Sequence, residues 1–479
     1  MKQNSFYITT TLPYVNAPLH MGHALEFVRA DAIARYKKLQ GYEVFFNTGT
    51  DEHGLKIFEK AKENNLTPQE FVDNGFLNFK KQLNMFGISE DINFVRTTDE
   101  HHIKSAQEFW RKVSNNGYIY KKNYESKYCV GCESEKTDSE LIDGFCPDHP
   151  GKDLVIINEE NYFFKYSAFT EKLLKFYEEN PTFVVPDFRY NEIKAFVSRG
   201  LQDFSISRLK EKMPWGIPVP DDENHVMYVW FDALTNYIST LGWPEDTEKF
   251  EKFWNNGNPT QYCGKDNLRF QSAMWQAMLM AADLPNSHQI IINGFITADG
   301  GVKMSKTLGN VVDPKDIVAE YGTDALRFFL LSEVSSFEDS PFTMERFKES
   351  YNAKLANGLG NLISRVMTMV DSYSVEIPNL ENLFFNTPNF DLENFKINDF
   401  VNNVWNKIQE TNQDIQIRQP FKKIKEKPEE AIEDVRHFIA SIIVIAQSLE
   451  PMLPNTSKKI LEIIKSRKKP EQPLFLRKD

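Results

Sequence analysis

Phe6-Tyr7-Ile8-Thr9-Thr10 is a short apolar, β-branched run, His20-Met21-Gly22-His23 opens a helical pattern after it, and Val44-Phe45-Phe46 follows as a second apolar run. Pro13-Tyr14-Val15-Asn16-Ala17-Pro18 supplies the turn between the first strand and the helix. Leu25, Val28, Ala32, Ile33 and Tyr36 recur three or four positions apart, which gives one apolar helix face, and Gly41 ends it. Strand, helix and strand in one short unit predict a parallel sheet and an α/β fold. A later run, Ile290-Ile291-Ile292, adds another strand before Asn293-Gly294-Phe295.

Residues 115–225, between these signals, have a different texture. Turns are frequent, cysteines cluster, and Pro214-Trp215-Gly216-Ile217-Pro218-Val219-Pro220 interrupts any long element. This stretch reads as an insertion into the α/β sheet. From about 345 the β signals stop. Leu355, Leu359, Leu362, Ile363 and Val366, and later Val435, Phe438, Ile439, Ile442 and Ile443, carry helical spacing and predict a helical bundle. Asn-rich linkers at 379–394 interrupt it, and the basic tail Lys465–Asp479 is expected to fray at its end. The expected parts are 1–114 and 226–300 for the two halves of the sheet domain, 115–225 for the insertion, 301–345 for a loop and connecting region, and 346–479 for the bundle.

The chain has 479 residues, with 68 acidic and 56 basic side chains and a net charge of −12. A protein that coats nucleic acid along its whole length would need the opposite balance. The charge is uneven, however. Residues 401–479 hold 15 Lys/Arg against 11 Asp/Glu, a net +4, so the remainder carries −16. The C-terminal end can therefore still meet a polyanion. No run of 18 apolar residues predicts a membrane span, and the N-terminus has no signal-peptide core. The expected setting is cytoplasmic.

Two motifs carry phosphate chemistry. In His20-Met21-Gly22-His23 the glycine lets a ligand approach the backbone, and the helix start offers free N–H groups and a positive dipole end. Two flanking imidazoles can donate to phosphate oxygens. Lys303-Met304-Ser305-Lys306-Thr307 follows the Gly-rich Thr297-Ala298-Asp299-Gly300-Gly301, and two lysines there can neutralise a triphosphate during an in-line displacement. Alone, either motif is better read as an ordinary turn or a solvated basic loop. Together, in this order on an α/β sheet, they point to one site.

Three of the four cysteines lie within 18 positions. Cys129-Val130-Gly131-Cys132, 13 residues, then Cys146-Pro147-Asp148-His149 gives C-x₂-C-x₁₃-C-x₂-H. Three thiolates and one imidazole close a tetrahedral Zn²⁺ shell with no position left for water, so the zinc would be structural, one per chain. Cys263 remains, expected as a small core residue.

The two phosphate motifs resemble the H-I-G-H and K-M-S-K-S signatures of class I aminoacyl-tRNA synthetases, with Thr307 in the final position. Thr11-Leu12-Pro13-Tyr14-Val15-Asn16, Gly49-Thr50-Asp51-Glu52-His53-Gly54, Tyr228-Val229-Trp230-Phe231-Asp232-Ala233, Gly264-Lys265-Asp266 and Asn361-Leu362-Ile363-Ser364-Arg365 stand in the order found in methionyl-tRNA synthetases. The resemblance spans about 5–450. It implies a Rossmann-like, doubly wound catalytic domain with a zinc-bearing connective insertion and a helical anticodon-binding domain.

It also implies site residues. His20, Gly22, His23, Lys265, Asp266, Lys303, Ser305 and Lys306 would bind ATP, which arrives with Mg²⁺. Leu12, Tyr14, Trp230, Ala233, Leu234 and Tyr237 would wall the methionine pocket, and Asp51 would take the substrate ammonium. A thioether offers little to hydrogen-bond, so shape and sulfur–aromatic contact must select it. Arg208 matches an arginine used during activation. Asn267 and Gln271 depart from the family, which commonly has an aliphatic residue and a histidine there, and Thr11 replaces the commoner alanine. Asn361 and Arg365, four apart on one helix face, match readers of the CAU anticodon. Phe421, after Pro420, stands where the family stacks a tryptophan on an anticodon base. Lys422, Lys423, Lys425 and Lys427 follow, as phosphate contacts or as a solvated face.

The expected partners are ATP, L-methionine, tRNA(Met) and initiator tRNA. Many family members continue into a C-terminal oligonucleotide-binding fold that dimerises them, so a monomer is expected for this chain. Two other readings compete. Leucine, isoleucine or valine enzymes carry a larger editing insertion and lack this knuckle. A non-catalytic zinc-containing RNA-binding module has no need of both phosphate motifs.

Overall fold

The computed structural model describes residues 4–132, 134–136, 138–302, 304, 312–377 and 395–478. Two units emerge from its contacts. The first comprises Met1–Leu19, Gly41–Gln82 and Glu90–Ile292, and the second His20–Gln40, Leu83–Ser89 and Asn293–Asp479. The Asn-rich linker at 379–394 lies outside the described residues.

The first unit starts with β1 (Ser5–Thr10), β2 (Glu43–Thr50) and β3 (Asn93–Arg96). Then come β4 (Ile119–Cys129), β5 (Ser134–Lys136), β6 (Val155–Phe164), β7 (Val184–Val185), β8 (Phe204–Ser205), β9 (Ser207–Leu209), β10 (Pro218–Val219) and β11 (Asp222–Met227). β12 (Thr260–Gly264) and β13 (Gln289–Asn293) return to the first sheet. That sheet has the order β3-β2-β1-β12-β13-β7. Ile8 faces Phe46 on one side and Thr260 on the other, both in parallel register. Parallel strands need crossovers that cover the sheet, which is why Tyr7, Ile8, Tyr262 and Ile290–Ile292 are fully buried. Trp254 and Trp275, also fully buried, stack edge to face at 6.4 Å within this core.

Not all of 115–225 leaves the parallel sheet. β7 is its edge strand, with Val184 opposite Ile290 and Val185 opposite Ile291. Two residues are too few to show a period, so sequence pattern could not reveal it. The remaining strands of the stretch build two further sheets: β5-β4-β6-β8, around the long antiparallel β4–β6 ladder from Ile119↔Phe164 to Tyr128↔Val155, and β10-β11-β9.

The helix Met21–Leu39 joins β1 to β2 in sequence, yet its contacts place it in the second unit. Arg29, fully buried, donates to the carbonyls of Leu330, Val334, Ser335 and Ser336. Tyr36 meets the Phe400 ring edge-on at 5.6 Å. The helices Asn361–Ser372, Ile397–Arg418, Pro428–Leu449 and Pro454–Ser466 form the predicted bundle. Val435, Phe438, Ile439, Ile442 and Ile443 are all buried there.

The tail does not fray as expected. The Tyr351 hydroxyl donates to the Leu476 carbonyl at 2.8 Å, and Asn352 bonds the Lys478 backbone at both its N–H and its carbonyl. Phe475 packs edge-on against Tyr351. Apolar anchors Leu474 and Phe475 outweigh the basic composition that suggested a loose end. Among the described residues no helix is long and apolar enough to cross a membrane.

Candidate active site and metal centre

In a parallel sheet all strands end on one edge, where ligands bind outside the carboxyl ends. Three segments of the first unit follow that edge: 11–15 after β1, 51–54 after β2 and 265–267 after β12. Tyr14 and Asp51 form an isolated parallel bridge, with Asp51 N–H donating to the Pro13 carbonyl at 3.0 Å and Val15 N–H to the Asp51 carbonyl at 3.2 Å. The sheet pairing thus continues one step past the strands and holds Tyr14 beside a buried carboxylate, 3% exposed. Leu12 is half-buried. After β12, Lys265 and Asn267 are half-buried and Asp266 is exposed.

The helix Val229–Leu234 and the turn after it supply the other predicted wall. Ala233, Leu234 and Tyr237 are buried. Gln271 is 1% exposed, and its Nε2 donates to the Tyr237 hydroxyl at 2.7 Å while its Oε1 accepts from Gln261 at 2.7 Å. The departure from histidine therefore places an amide bonded at both its nitrogen and its oxygen, and the nitrogen holds the tyrosine hydroxyl. The half-buried Trp230 ring lies flat on Phe270, centroids 4.0 Å apart at 7°. Its Nε1 is buried with no hydrogen-bond partner among the described residues, a donor left for something else.

Two parts of this wall were not singled out from sequence. One is Phe270, whose only signal was its place beside Gln271. The other is a buried relay that joins His53 and Asp232, from two of the quoted motifs, to His102 and Ser239 outside them. Asp232 accepts from His53 at 2.7 Å and pairs with His102 at 2.8 Å, and His102 in turn reaches the Ser239 hydroxyl at 2.8 Å. Burial would raise the Asp232 carboxyl, but the two imidazoles outweigh it and hold the group below the ordinary carboxylate range. The relay ties the segment after β2 to the helix that carries Trp230 and Ala233.

Arg208 lies on β9, opposite Val226, and is 5% exposed. Its Nη1 donates to Ser205 Oγ at 2.8 Å and to its neighbour's carbonyl, Ser207 O, at 2.7 Å.

In the second unit, His20 caps the helix Met21–Leu39. Its Nδ1 accepts from Gly22 N–H at 3.1 Å and His23 N–H at 3.4 Å, and His23 Nδ1 accepts from His20 N–H at 3.3 Å. The rings stack at 3.8 Å. A Cβ on residue 22 would sit 3.0 Å from the His20 ring, so glycine leaves room for the fold-back. Both Nδ1 atoms are acceptors here, which puts each ring proton on Nε2. Burial and the adjacent His20 push the His23 imidazole well below its ordinary range, which keeps it a neutral donor. Lys303, Ser305 and Lys306 lie outside the described residues.

The metal-type ligands converge as their spacing predicts. One ligand atom from each of Cys129, Cys132, Cys146 and His149 lies within 4.8 Å of the others. Cys132 Sγ is 3.4 Å from Cys146 Sγ and 3.3 Å from His149 Nδ1. These separations, and the borderline-soft S₃N donor set, fit a tetrahedral zinc shell. A Cβ on residue 131 would come 2.5 Å from the His149 ring, so only glycine lets the imidazole close the shell. Cys263 is buried within β12.

In the bundle, Asn361 is exposed and Arg365 is half-buried, with Nη1 donating to Asn412 Oδ1 at 3.1 Å. Phe421 is 46% exposed. Of the lysine run, Lys423 pairs with Asp434 at 2.7 Å and Lys427 with Glu430 at 2.8 Å, so these two are engaged within the bundle.

A parallel sheet with the predicted site segments at its carboxyl edge, a histidine-capped helix and a helical bundle together define a class I aminoacyl-tRNA synthetase. The family model for tRNA synthetases class I (M) matches residues 6–154 and 149–367. The methionine–tRNA ligase of Caldanaerobacter subterraneus is 42% identical over 478 residues, covering 96% of this chain and 74% of that protein. The methionine–tRNA ligase of Clostridium acetobutylicum is 40% identical over 477 residues, covering 96% and 73%. The solved structure of Mycobacterium tuberculosis methionyl-tRNA synthetase in complex with methionyl-adenylate matches with a TM-score of 0.89 at 33% identity, covering 99% of this chain and 100% of that one. The chain belongs to the methionine–tRNA ligase family. It spans about three-quarters of the length of these curated relatives.

Proposed function

We propose that this chain joins methionine to tRNA(Met), initiator and elongator alike, in two steps. The methionine carboxylate attacks the α-phosphorus of ATP to give methionyl-adenylate and pyrophosphate. The terminal 2′-hydroxyl of the tRNA then attacks the adenylate carbonyl, and AMP leaves. The buried Asp51 carboxylate beside Tyr14 carries this reading. It is a negative charge fixed at the ligand edge, suited to an α-ammonium.

Leu12, Tyr14, Trp230, Ala233, Leu234, Tyr237, Asn267 and Gln271 select the side chain by shape. His20 and His23 donate from Nε2 to the α-phosphate as charge develops, and Lys303 and Lys306 neutralise the β- and γ-phosphates. Gly22, Lys265, Asp266 and Ser305 complete ATP binding, with Mg²⁺ on the nucleotide. Arg208 acts in activation. Positioning and electrostatics supply the acceleration, without a dedicated base. Zinc, held by Cys129, Cys132, Cys146 and His149, is structural, and its reduced thiols suit the cytoplasm. Asn361, Arg365 and Phe421 read the anticodon.

Methionine-dependent ATP–pyrophosphate exchange tests the reading. Exchange with methionine and not with leucine supports it. Exchange with leucine alone overturns the substrate, and exchange with no amino acid overturns the activity.

A further inference from the structure

Arg208 sits in an aromatic setting that its proposed role in activation leaves unexplained. Its guanidinium carbon lies 5.2 Å from the centroid of the Tyr128 ring and 4.8 Å from that of Tyr228. All three side chains are buried, at 5%, 6% and 7% exposure. A guanidinium against two rings in a desolvated setting is held by the ring quadrupoles as well as by its hydrogen bonds. Arg208 Nη1 donates to both Ser205 Oγ and Ser207 O, and the two rings lie against the same guanidinium.

The two rings come from elements with other duties. Tyr128 immediately precedes Cys129 on β4, the central strand between β5 and β6. Successive strand residues point to opposite faces, so Cys129 turns to the thiol cluster while Tyr128 turns to Arg208. Tyr228 caps the helix Val229–Leu234, which carries Trp230 and Ala233, and its N–H donates to the Ile206 carbonyl at 2.7 Å. Arg208 therefore sits where the strand leading into the knuckle meets the helix of the methionine wall.

We propose that Tyr128 and Tyr228 are positioning residues for amino-acid activation, their rings fixing the Arg208 guanidinium between the thiol knuckle and the methionine wall. This rests on the assignment of Arg208 to the activation step.

The test is a double-mutant cycle in ATP–pyrophosphate exchange, with zinc content measured on every variant. Tyr128→Leu is expected to lower kcat by roughly 10- to 100-fold, the size of a small misplacement of a reacting partner. KM for methionine and ATP stays unchanged, and one zinc is retained. Tyr128→Phe, which keeps the ring, recovers most of the loss. In an Arg208→Ala background, Tyr128→Leu adds nothing further. Full kcat in Tyr128→Leu beside a crippled Arg208→Ala overturns the proposal alone, as does a loss that multiplies with that of Arg208→Ala. Full kcat in Arg208→Ala overturns the assignment of Arg208 and the proposal with it. Should Tyr128→Leu lose its zinc, Tyr228→Leu carries the same expectation away from the thiols, and full kcat there overturns the proposal.

Discussion

Gln271 donates from Nε2 to the Tyr237 hydroxyl across 2.7 Å, and its Oε1 accepts from Gln261 Nε2 at the same distance. An uncharged amide thus fixes the tyrosine of the proposed methionine wall. Gln271→Ala strands both partners in a buried site, at a cost of about 1–3 kcal/mol. The expected outcome is a rise in KM for methionine of roughly 10-fold with KM for ATP unchanged, measured by pyrophosphate exchange. An equal rise in both constants would show that Gln271 does not act in methionine binding.

His20 has a structural and a chemical task that substitution can separate. Its Nδ1 caps the helix, and its Nε2–H is the proposed phosphate donor. His20→Asn keeps a good cap and loses that donor. Exchange should fall by about 10²-fold or more with the melting temperature unchanged. His20→Ala should lose both, with about 1 kcal/mol of stability gone. His23 is held well below its ordinary range, so no inflection in rate between pH 6 and 8 should come from it.

Gly131→Ala drives a methyl group into the His149 ring. Zinc measured by plasma emission should drop well below one per chain. The parallel sheet has its own core, so far-UV circular dichroism should change little. Full zinc occupancy in this variant would rule out His149 as a ligand.

Asp31 and Arg327 form an ion pair at 2.8 Å with both side chains fully buried. Arg327 also donates to the carbonyls of Phe86, Gly87, Pro451 and Met452. Arg327→Met leaves a buried carboxylate with Arg35 and Ser89 alone and should cost about 3–5 kcal/mol. Burial would raise the Asp31 carboxyl, but Arg327, Arg35 and Ser89 outweigh it and hold the group below its ordinary range. The unfolded chain therefore takes up this proton first as pH falls. The contribution is complete above about pH 5 and is lost as pH drops past about 3.9 toward the native value. Asp31→Asn should flatten that part of the stability–pH curve in urea titrations.

Arg365→Ala should spare pyrophosphate exchange and reduce charging of tRNA(Met) by roughly 10-fold or more, as for one lost base contact of about 1–3 kcal/mol. Normal charging would move the anticodon contact away from this helix face.

Much of the site was legible because its chemistry depends on local spacing. C-x₂-C and C-x₂-H bring candidate ligands together whatever lies between them, and a Cβ at Gly131 would come 2.5 Å from the His149 ring. Phe270 and the Asp232 relay were not legible, because their partners lie 40 residues or far more away in sequence for Trp230–Phe270, His53–Asp232 and His102–Asp232. Apolar or polar residues at such separations carry no periodic signal.

The sequence by itself determined the alternation of strand and helix, the convergence of three cysteines and a histidine, and the order of the proposed phosphate motifs. All three follow from period, from spacing or from the backbone needs of a single residue. Tertiary structure decided where the pieces went. The helix after β1 turned its buried Arg29 and Asp31 to carbonyls and a guanidinium some 300 residues on. β7 returned to the sheet with only two residues, and the tail was fixed by Tyr351 and Asn352. Buried charges must find partners wherever the chain supplies them, and short segments are held by their neighbours, so neither is written in a local pattern.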